Sequence, residues 1–88
     1  MLGLSGQVIE LVLYSGPHCP LCEQAVRLVR ASLPADRYRL MEVDISGDRV
    51  TKKAYGLRIP VLREVCSGRE LGWPFDADLL RRWWAARL

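Results

Sequence analysis

Two cysteines separated by two residues lie in the stretch YSGPHCPLC, which runs from Tyr14 to Cys22. Such a pair can bind a metal ion, form a structural disulfide or exchange electrons as a dithiol. On a helix, residues three apart bring their Cα atoms to about 5–6 Å, a separation that allows a disulfide. The spacing of Cys19 and Cys22 is therefore compatible with a reversible redox pair.

The position of the pair at a predicted helix start gives the two thiols different environments. Pro20 suits the first helical position, where its missing N–H costs nothing, so Cys19 falls at the N-cap and Cys22 one turn inside. Free N–H groups and the positive end of the helix dipole stabilise the thiolate of the first cysteine. We expect Cys19 to be the nucleophile and Cys22 to be turned inward, where it can attack a mixed disulfide.

Two neighbours of the pair are candidates for supporting this chemistry. Pro20 makes the turn rigid and removes one backbone donor near the sulfurs. His18, the single histidine of the chain, favours the Cys19 thiolate when it is protonated. The alternative for His18 is an exposed loop residue with no essential role.

A metal site is the main alternative for the pair. Structural zinc takes four ligands, whereas this stretch offers Cys19, Cys22 and His18, and Cys66 lies roughly 20 Å away along a predicted strand. Small heavy-metal-associated domains carry a similar pair, but with a Met where this chain has Pro17 and without a final helix. We predict no metal, although the pair alone could hold Cu(I). A purely structural disulfide is not expected in a reducing compartment.

The composition indicates an ordinary globular protein. The chain has 88 residues, of which 26% are charged, and three cysteines, an odd number that argues against a secreted disulfide framework. Its start lacks the charged lead of a signal peptide, and its apolar run is too short to span a bilayer. We expect a single domain over residues 1–88, with residues 1–6 as a flexible lead, in the cytoplasm and without a membrane partner.

The net charge is only weak evidence for a partner. The formal charge is +3, and the 13 Lys and Arg residues are dispersed along the chain instead of forming one long run. We predict solvated basic faces, no nucleic-acid partner and a monomer.

Hydrophobic patterning and turn residues predict an α/β fold with the order β-α-β-α-β-β-α. Gln7–Tyr14 is nearly all apolar, which is typical of a strand buried on both faces, with Glu10 as the exception. The other elements are strands at 38–45, 60–65 and 69–71, a short helix ended by Gly56, and a last helix that begins at Asp76 and continues to the chain end. The first two strands should be parallel and the last two antiparallel.

Side chains of the helices predict how they pack. The first helix, which should stop before Pro34, is expected to bury one face made of Leu21, Ala25, Leu28, Val29 and Ser32. In the last helix, Phe75 should staple onto Leu80, and Trp83 and Trp84 should join the core, with one tryptophan partly exposed. Cys66 is predicted to be a small residue of a hairpin turn.

Two separate motifs resemble the glutaredoxin-like members of the thioredoxin-fold superfamily. YSGPHCPLC is similar to the glutaredoxin active-site segment, and YGLRIPV (Tyr55–Val61) is similar to the stretch that carries a cis-proline beside the redox disulfide. The segment WPFD (Trp73–Asp76) resembles that of small bacterial-type glutaredoxin-like proteins. The resemblance covers about Val8 to Leu88 and implies a thioredoxin-like four-stranded mixed sheet flanked by helices.

The resemblance also implies roles for residues outside the cysteine pair. Pro60 would be the cis-proline, and the backbone of Ile59 would pair with an extended substrate peptide or with glutathione. His18 and Pro20 would line the same binding site. Trp73 and Asp76 would be further glutathione or peptide contacts, although packing and helix capping are the simpler roles.

Three departures from the family pattern concern glutathione and thioredoxin. Gly16 stands where many glutaredoxins have a Lys for the glutathione carboxylate, and Gly72 is followed by Trp73 instead of a second glycine. The buried Asp of thioredoxin is replaced by Leu13. Glutathione is therefore expected to bind weakly or not at all, with Arg58 as the one substitute cation.

The sequence predicts a thiol–disulfide oxidoreductase with no cofactor other than glutathione as an optional co-substrate. Its expected substrate is a protein disulfide or a glutathione mixed disulfide. The alternative is a non-catalytic thioredoxin-fold binding module, or a Cu or Zn carrier that uses the same cysteine pair.

Overall fold

The computed structural model describes residues 8–87, which form four strands and three helices. In chain order these are β1 (Ile9–Ser15), α1 (Pro20–Ser32), β2 (Tyr38–Asp44), α2 (Arg49–Tyr55), β3 (Val61–Glu64), β4 (Glu70–Gly72) and α3 (Ala77–Ala85), with a 3-10 turn at Ile45–Gly47. The predicted element order is confirmed. The expected flexible lead at residues 1–6 and the predicted strand start at Gln7 lie outside the described residues. No helix in the described part is long and apolar enough to cross a bilayer.

The four strands form one mixed sheet in the order β2-β1-β3-β4. β1 runs parallel to β2, whereas β3 is antiparallel to both β1 and β4. Tyr14 lies opposite Val61, which lies opposite Gly72. The end of β1, the start of β3 and the end of β4 are therefore side by side at one end of the sheet.

The core fills the space between one face of the sheet and the helices α1 and α3, which also contact each other. Its buried members are Leu11, Leu13, Ala25, Val29, Leu33, Tyr38, Leu62, Phe75 and Leu80. Phe75 and Leu80 belong to the same cluster, as the predicted staple requires. Trp83 and Trp84 pack against this core but are only half-buried, so the prediction that they join it is only partly correct.

The buried face of α1 differs from the prediction at its first turn. Cys22, Ala25 and Val29 are buried, whereas Leu21 is 45% exposed. A face that begins at residue 22 satisfies the three-and-four spacing as well as one that begins at 21. Cysteine is also buried at least as often as leucine, so the apolar pattern alone pointed to the wrong residue.

The prediction that β1 is buried on both faces is wrong. Leu11, Leu13 and Ser15 are buried, but Val12 and Tyr14, which point to the other face, are only half-buried. That face is covered at the Tyr14 end by the seven-residue α2. The strand therefore shows the alternating burial of a sheet with one fully covered face.

Side-chain caps set the starts of the three helices. Cys19, Asp48 and Asp76 each accept a hydrogen bond from a backbone N–H in the first turn of α1, α2 and α3. α2 ends at Tyr55 before Gly56, as predicted. α3 ends at Ala85, which corrects the prediction that it continues to the chain end.

Candidate functional site

Three loops meet at the end of the sheet where β1 and β4 finish and β3 begins. The loop after β1 carries Cys19, the loop before β3 carries Pro60, and the loop after β4 carries Trp73. The Trp73 N–H donates to the Pro60 carbonyl oxygen at 3.2 Å and ties the second loop to the third. The strand register therefore brings the sequence motifs to one place.

The cysteine pair forms a disulfide at the start of α1, with the two Cα atoms 5.2 Å apart. Cys19 is the N-cap and is half-buried, whereas Cys22 is 3% exposed. The Cys22 backbone N–H donates to the Cys19 sulfur at 3.1 Å. A disulfide partner can reach the first sulfur more easily than the second, and the same N–H can stabilise negative charge on it.

The residues next to the pair are open to solvent. His18 is exposed and has φ 52°, a left-handed conformation that is uncommon outside glycine but more frequent for histidine. Pro20 is the first residue of α1, as predicted, and is also exposed. Leu21 adds an exposed apolar side chain beside the disulfide, which the sequence pattern had assigned to the core.

The Ile59–Pro60 peptide bond is cis, which confirms the sequence prediction. Pro60 is fully buried and Ile59 is half-buried. The Ile59 N–H donates to the Tyr55 carbonyl oxygen at 3.2 Å, so only the Ile59 carbonyl oxygen is left for pairing with a substrate strand. The predicted backbone pairing is thus reduced to one acceptor in this conformation.

Gly16 lies directly against Ile59. A Cβ atom at residue 16 would be 3.0 Å from the Ile59 Cδ1 atom, which is tighter than ordinary van der Waals contact. A lysine at this position would therefore need a shift of the Ile59 side chain. The contact gives a physical reason why residue 16 is not the lysine that many glutaredoxins have at this position.

Behind Ile59, two stacked tyrosines connect α2 to the sheet. The rings of Tyr14 and Tyr55 are 4.2 Å apart, and the Tyr55 hydroxyl donates to Glu70 at 2.5 Å. Arg58 pairs with the same carboxylate at 3.0 Å and lies over the Tyr55 ring. The hydrogen bond from the Tyr55 hydroxyl to Glu70 raises the pKa of Tyr55, and partial burial adds to the effect. The same bond lowers the pKa of Glu70, and Arg58 contributes to that lowering.

The tyrosine cluster changes the expectation for Arg58. Its guanidinium group is paired with Glu70, but the side chain is 54% exposed, so the predicted contact of Arg58 with a ligand stays a prediction. The partnership of Tyr14, Tyr55 and Glu70 was not predicted from the sequence. The sequence does contain one signal for this cluster, a polar residue on β4 that lies on the same face of the sheet as Tyr14. Recognising that shared face requires the strand register.

The third loop contributes Trp73 and Asp76. Trp73 is half-buried and meets Phe75 edge to face, with ring centroids 5.1 Å apart. Asp76 caps α3 by accepting the Leu79 N–H at 2.8 Å. The Trp73–Pro74 bond is also cis, which the sequence analysis did not predict. The roles of Trp73 and Asp76 in ligand binding stay predictions.

One groove is lined by residues just before Ile59 in the chain, and a second is lined by residues just after Trp73. The first has a volume of about 500 Å³, lies at the end of α2 and is lined by Lys52, Lys53, Ala54, Gly56, Leu57 and Arg58. The second, also about 500 Å³, is lined by Pro74, Phe75, Asp76, Asp78 and Leu79. The charges on the two sides are therefore opposite, basic before the proline and acidic at the start of α3.

The third cysteine does not belong to this site. Cys66 is free and exposed in the turn after β3, as predicted from the sequence. Between residues 8 and 87, no cluster of three or more His, Cys, Asp or Glu side chains is placed to hold a metal ion. A metal carried at this end of the molecule would have only Cys19 and Cys22 as its cysteine ligands.

Three solved structures of known proteins resemble this chain in fold and in sequence. The X-ray structure of target protein XcR50 from X. campestris is 44% identical, with a TM-score of 0.80 over 89% of this chain and 99% of that chain. The solution structure of XcR50 gives a TM-score of 0.71 at the same identity, over 89% of this chain and 95% of that chain. Protein Ne2328 from Nitrosomonas europaea is 28% identical, with a TM-score of 0.73 over 85% of this chain and 89% of that chain.

These neighbours share the thioredoxin-like fold that the motifs predicted. The comparison with curated proteins gives no significant match. A family model described as a glutaredoxin-like domain (DUF836) matches residues 10–85. The chain therefore belongs to the glutaredoxin-like domain family.

Proposed function

We propose that the protein is a thiol–disulfide oxidoreductase that works through a Cys19–Cys22 dithiol. The observation that carries the proposal is the disulfide at the start of α1, with a half-buried sulfur at the N-cap and a buried one behind it. A metal carrier would use both sulfurs together, whereas stepwise exchange requires one accessible thiol and one protected thiol.

In the first step, the Cys19 thiolate of the reduced protein attacks one sulfur of a substrate disulfide. The substrate S–S bond breaks, its other sulfur leaves as a thiolate that takes up a proton, and a Cys19–substrate disulfide forms. The Cys22 backbone N–H, 3.1 Å from the Cys19 sulfur, stabilises the attacking thiolate.

In the second step, the Cys22 thiolate attacks the Cys19 sulfur and expels the second substrate thiolate. The protein ends with the Cys19–Cys22 disulfide, and two electrons have passed to the substrate. The 5.2 Å separation of the Cα atoms supports ring closure without a large backbone movement.

A protein disulfide is the proposed main substrate, and glutathione is a weak one. The crowded position of Gly16 and the engagement of Arg58 with Glu70 support this, since these are the two positions considered for a cation that would bind the glutathione carboxylate. A glutathionylated peptide that is reduced efficiently at ordinary glutathione concentrations would contradict this part of the proposal.

The test is to trap the intermediate with Cys22→Ser. This variant keeps the first step and loses the second, so a covalent adduct through Cys19 should accumulate with a disulfide substrate and disappear with dithiothreitol. Cys19→Ser should trap almost nothing, and Cys66→Ser should behave like the parent. If neither the Cys22→Ser nor the Cys19→Ser protein accumulates a covalent adduct, the oxidoreductase proposal fails and a binding or metal-carrying module takes its place.

A further inference from the structure

Two apolar residues, one in α2 and one just after it, are not covered by anything in the described chain. Leu57, in the loop after α2, has a relative exposure of 104%, and Val50 has 77%. Val50 lies in the first turn of α2, whereas Leu57 lies two residues after its end. Leu57 is two residues before Ile59 and lines the first groove. The Ile59 side chain in turn lies against Gly16, which is three residues before Cys19.

The charges around that groove have one sign. Lys52 and Lys53 line it together with Leu57 and with Arg58, which is paired with Glu70, and no acidic residue is part of the lining. The two lysines are exposed and form no salt bridge with any residue between 8 and 87. A fully exposed leucine among cations matches a partner that offers both apolar and acidic side chains.

We propose that the groove lined by Lys52, Lys53 and Leu57 docks an acidic segment of the protein whose disulfide Cys19 attacks. This inference rests on the proposed oxidoreductase function and specifies its substrate class. The lining of the groove ends at Arg58, the residue before Ile59, and the Ile59 carbonyl oxygen is free to accept a hydrogen bond from the incoming chain. An acidic peptide is favoured over a nucleic acid because a phosphate backbone gains nothing from the exposed Leu57 and Val50 side chains.

The probes are two synthetic peptides with the same ring closed by one disulfide, flanked either by glutamates or by lysines. The reduced wild-type protein transfers two electrons to the ring, so the products are the peptide dithiol and the oxidised protein. Wild type should reduce the glutamate peptide about tenfold faster than the lysine peptide at low ionic strength, since complementary charge accelerates encounter. Added salt should bring this ratio towards one.

The variant Lys52→Glu with Lys53→Glu should abolish or invert the ratio. Its matched control, Arg37→Glu with Arg81→Glu, makes the same change in net charge at exposed sites outside the groove and should keep the wild-type ratio. Arg37 precedes β2 at the opposite end of the sheet. Leu57→Gln should slow both peptides without changing their ratio, because it removes apolar contact and no charge.

Each failure has a separate meaning. A wild-type ratio of one, an equal effect of both double variants, or unchanged rates in Leu57→Gln overturns the docking proposal while oxidoreduction stands. A labelled single-stranded oligonucleotide tests the nucleic-acid alternative. The docking proposal is also overturned if wild type binds this oligonucleotide, Lys52→Glu with Lys53→Glu does not, and wild type reduces the two peptides at the same rate. If wild type reduces neither the peptides nor hydroxyethyl disulfide, the proposed function itself has failed.

Discussion

At the scale of single residues, the hydrogen bond between Tyr55 and Glu70 should make the stability of the protein depend on pH. The pKa of Glu70 is lowered from 4.5, so its contribution is present above that pH and is lost as the pH falls through the folded-state value. The pKa of Tyr55 is raised from 10.0, so its contribution is present below pH 10.0 and is lost as the pH rises beyond it.

We predict that Tyr55→Phe lowers the free energy of unfolding by about 1 kcal/mol at neutral pH. The difference from wild type should shrink below pH 4.5 and above pH 10.0. Urea unfolding at a series of pH values measures it. Tyr38→Phe is the control, since no side-chain hydrogen bond of Tyr38 exists among the described residues, and its effect should not vary with pH. A pH-independent loss in Tyr55→Phe would contradict the prediction.

The position of the cysteine pair at the helix start was predictable because it is set locally. Spacing and Pro20 place Cys19 at the N-cap whatever the rest of the chain does. The pairing of Tyr55 with Glu70 was not predictable in the same way, because the two residues meet only through the β3–β4 register and the position of α2. The pairing of Arg58 with Glu70 was not predicted from the sequence for the same reason.

At the scale of elements, Asp76 has two separable roles, as the N-cap of α3 and as a predicted ligand contact. Asp76→Ala removes the hydrogen bond to the Leu79 N–H and should cost about 1 kcal/mol of stability. Asp76→Ser keeps a capping oxygen but removes the charge, so it should restore most of that stability. Thermal unfolding of the two variants measures the capping role.

Activity then tests the second role of Asp76. If the carboxylate contacts the substrate, Asp76→Ser should raise KM for a peptide disulfide even though the protein is stable. Asp78→Ala is the control, because its exposed pair with Arg82 contributes little to stability. A wild-type KM in Asp76→Ser would leave capping as the only role of this residue.

Helix and strand order was predictable from caps, prolines and glycines, which act within a few residues. Burial was less predictable because it depends on what lies across the sheet. β1 looked buried on both faces from its composition, but the short α2 covers only one end of its second face. Leu21 looked like a core residue, but Cys22 occupies that place in α1.

At the scale of the whole molecule, the end of the sheet opposite the disulfide has its own polar cluster. The Glu64 side chain is 8% exposed and accepts hydrogen bonds from Ser67 at 2.9 Å and from Arg69 at 3.1 Å. The Arg69 guanidinium also lies 4.7 Å from the centre of the Trp83 ring. The cluster therefore ties the β3–β4 hairpin to α3 at the end of the sheet away from the disulfide.

We predict that Arg69→Met lowers the free energy of unfolding by about 2 kcal/mol, because it leaves the buried Glu64 carboxylate without its cation. Adding Glu64→Gln should recover part of this loss, because the unpaired charge is then gone. Reduction of a small disulfide such as hydroxyethyl disulfide should proceed at the wild-type rate in both proteins at temperatures where they are folded. Urea unfolding and this assay, run on the same preparations, separate stability from catalysis. A slower reaction in folded Arg69→Met would mean that the hairpin end of the sheet influences the disulfide end. If the double variant is no more stable than Arg69→Met alone, the loss of stability does not come from the unpaired Glu64 charge.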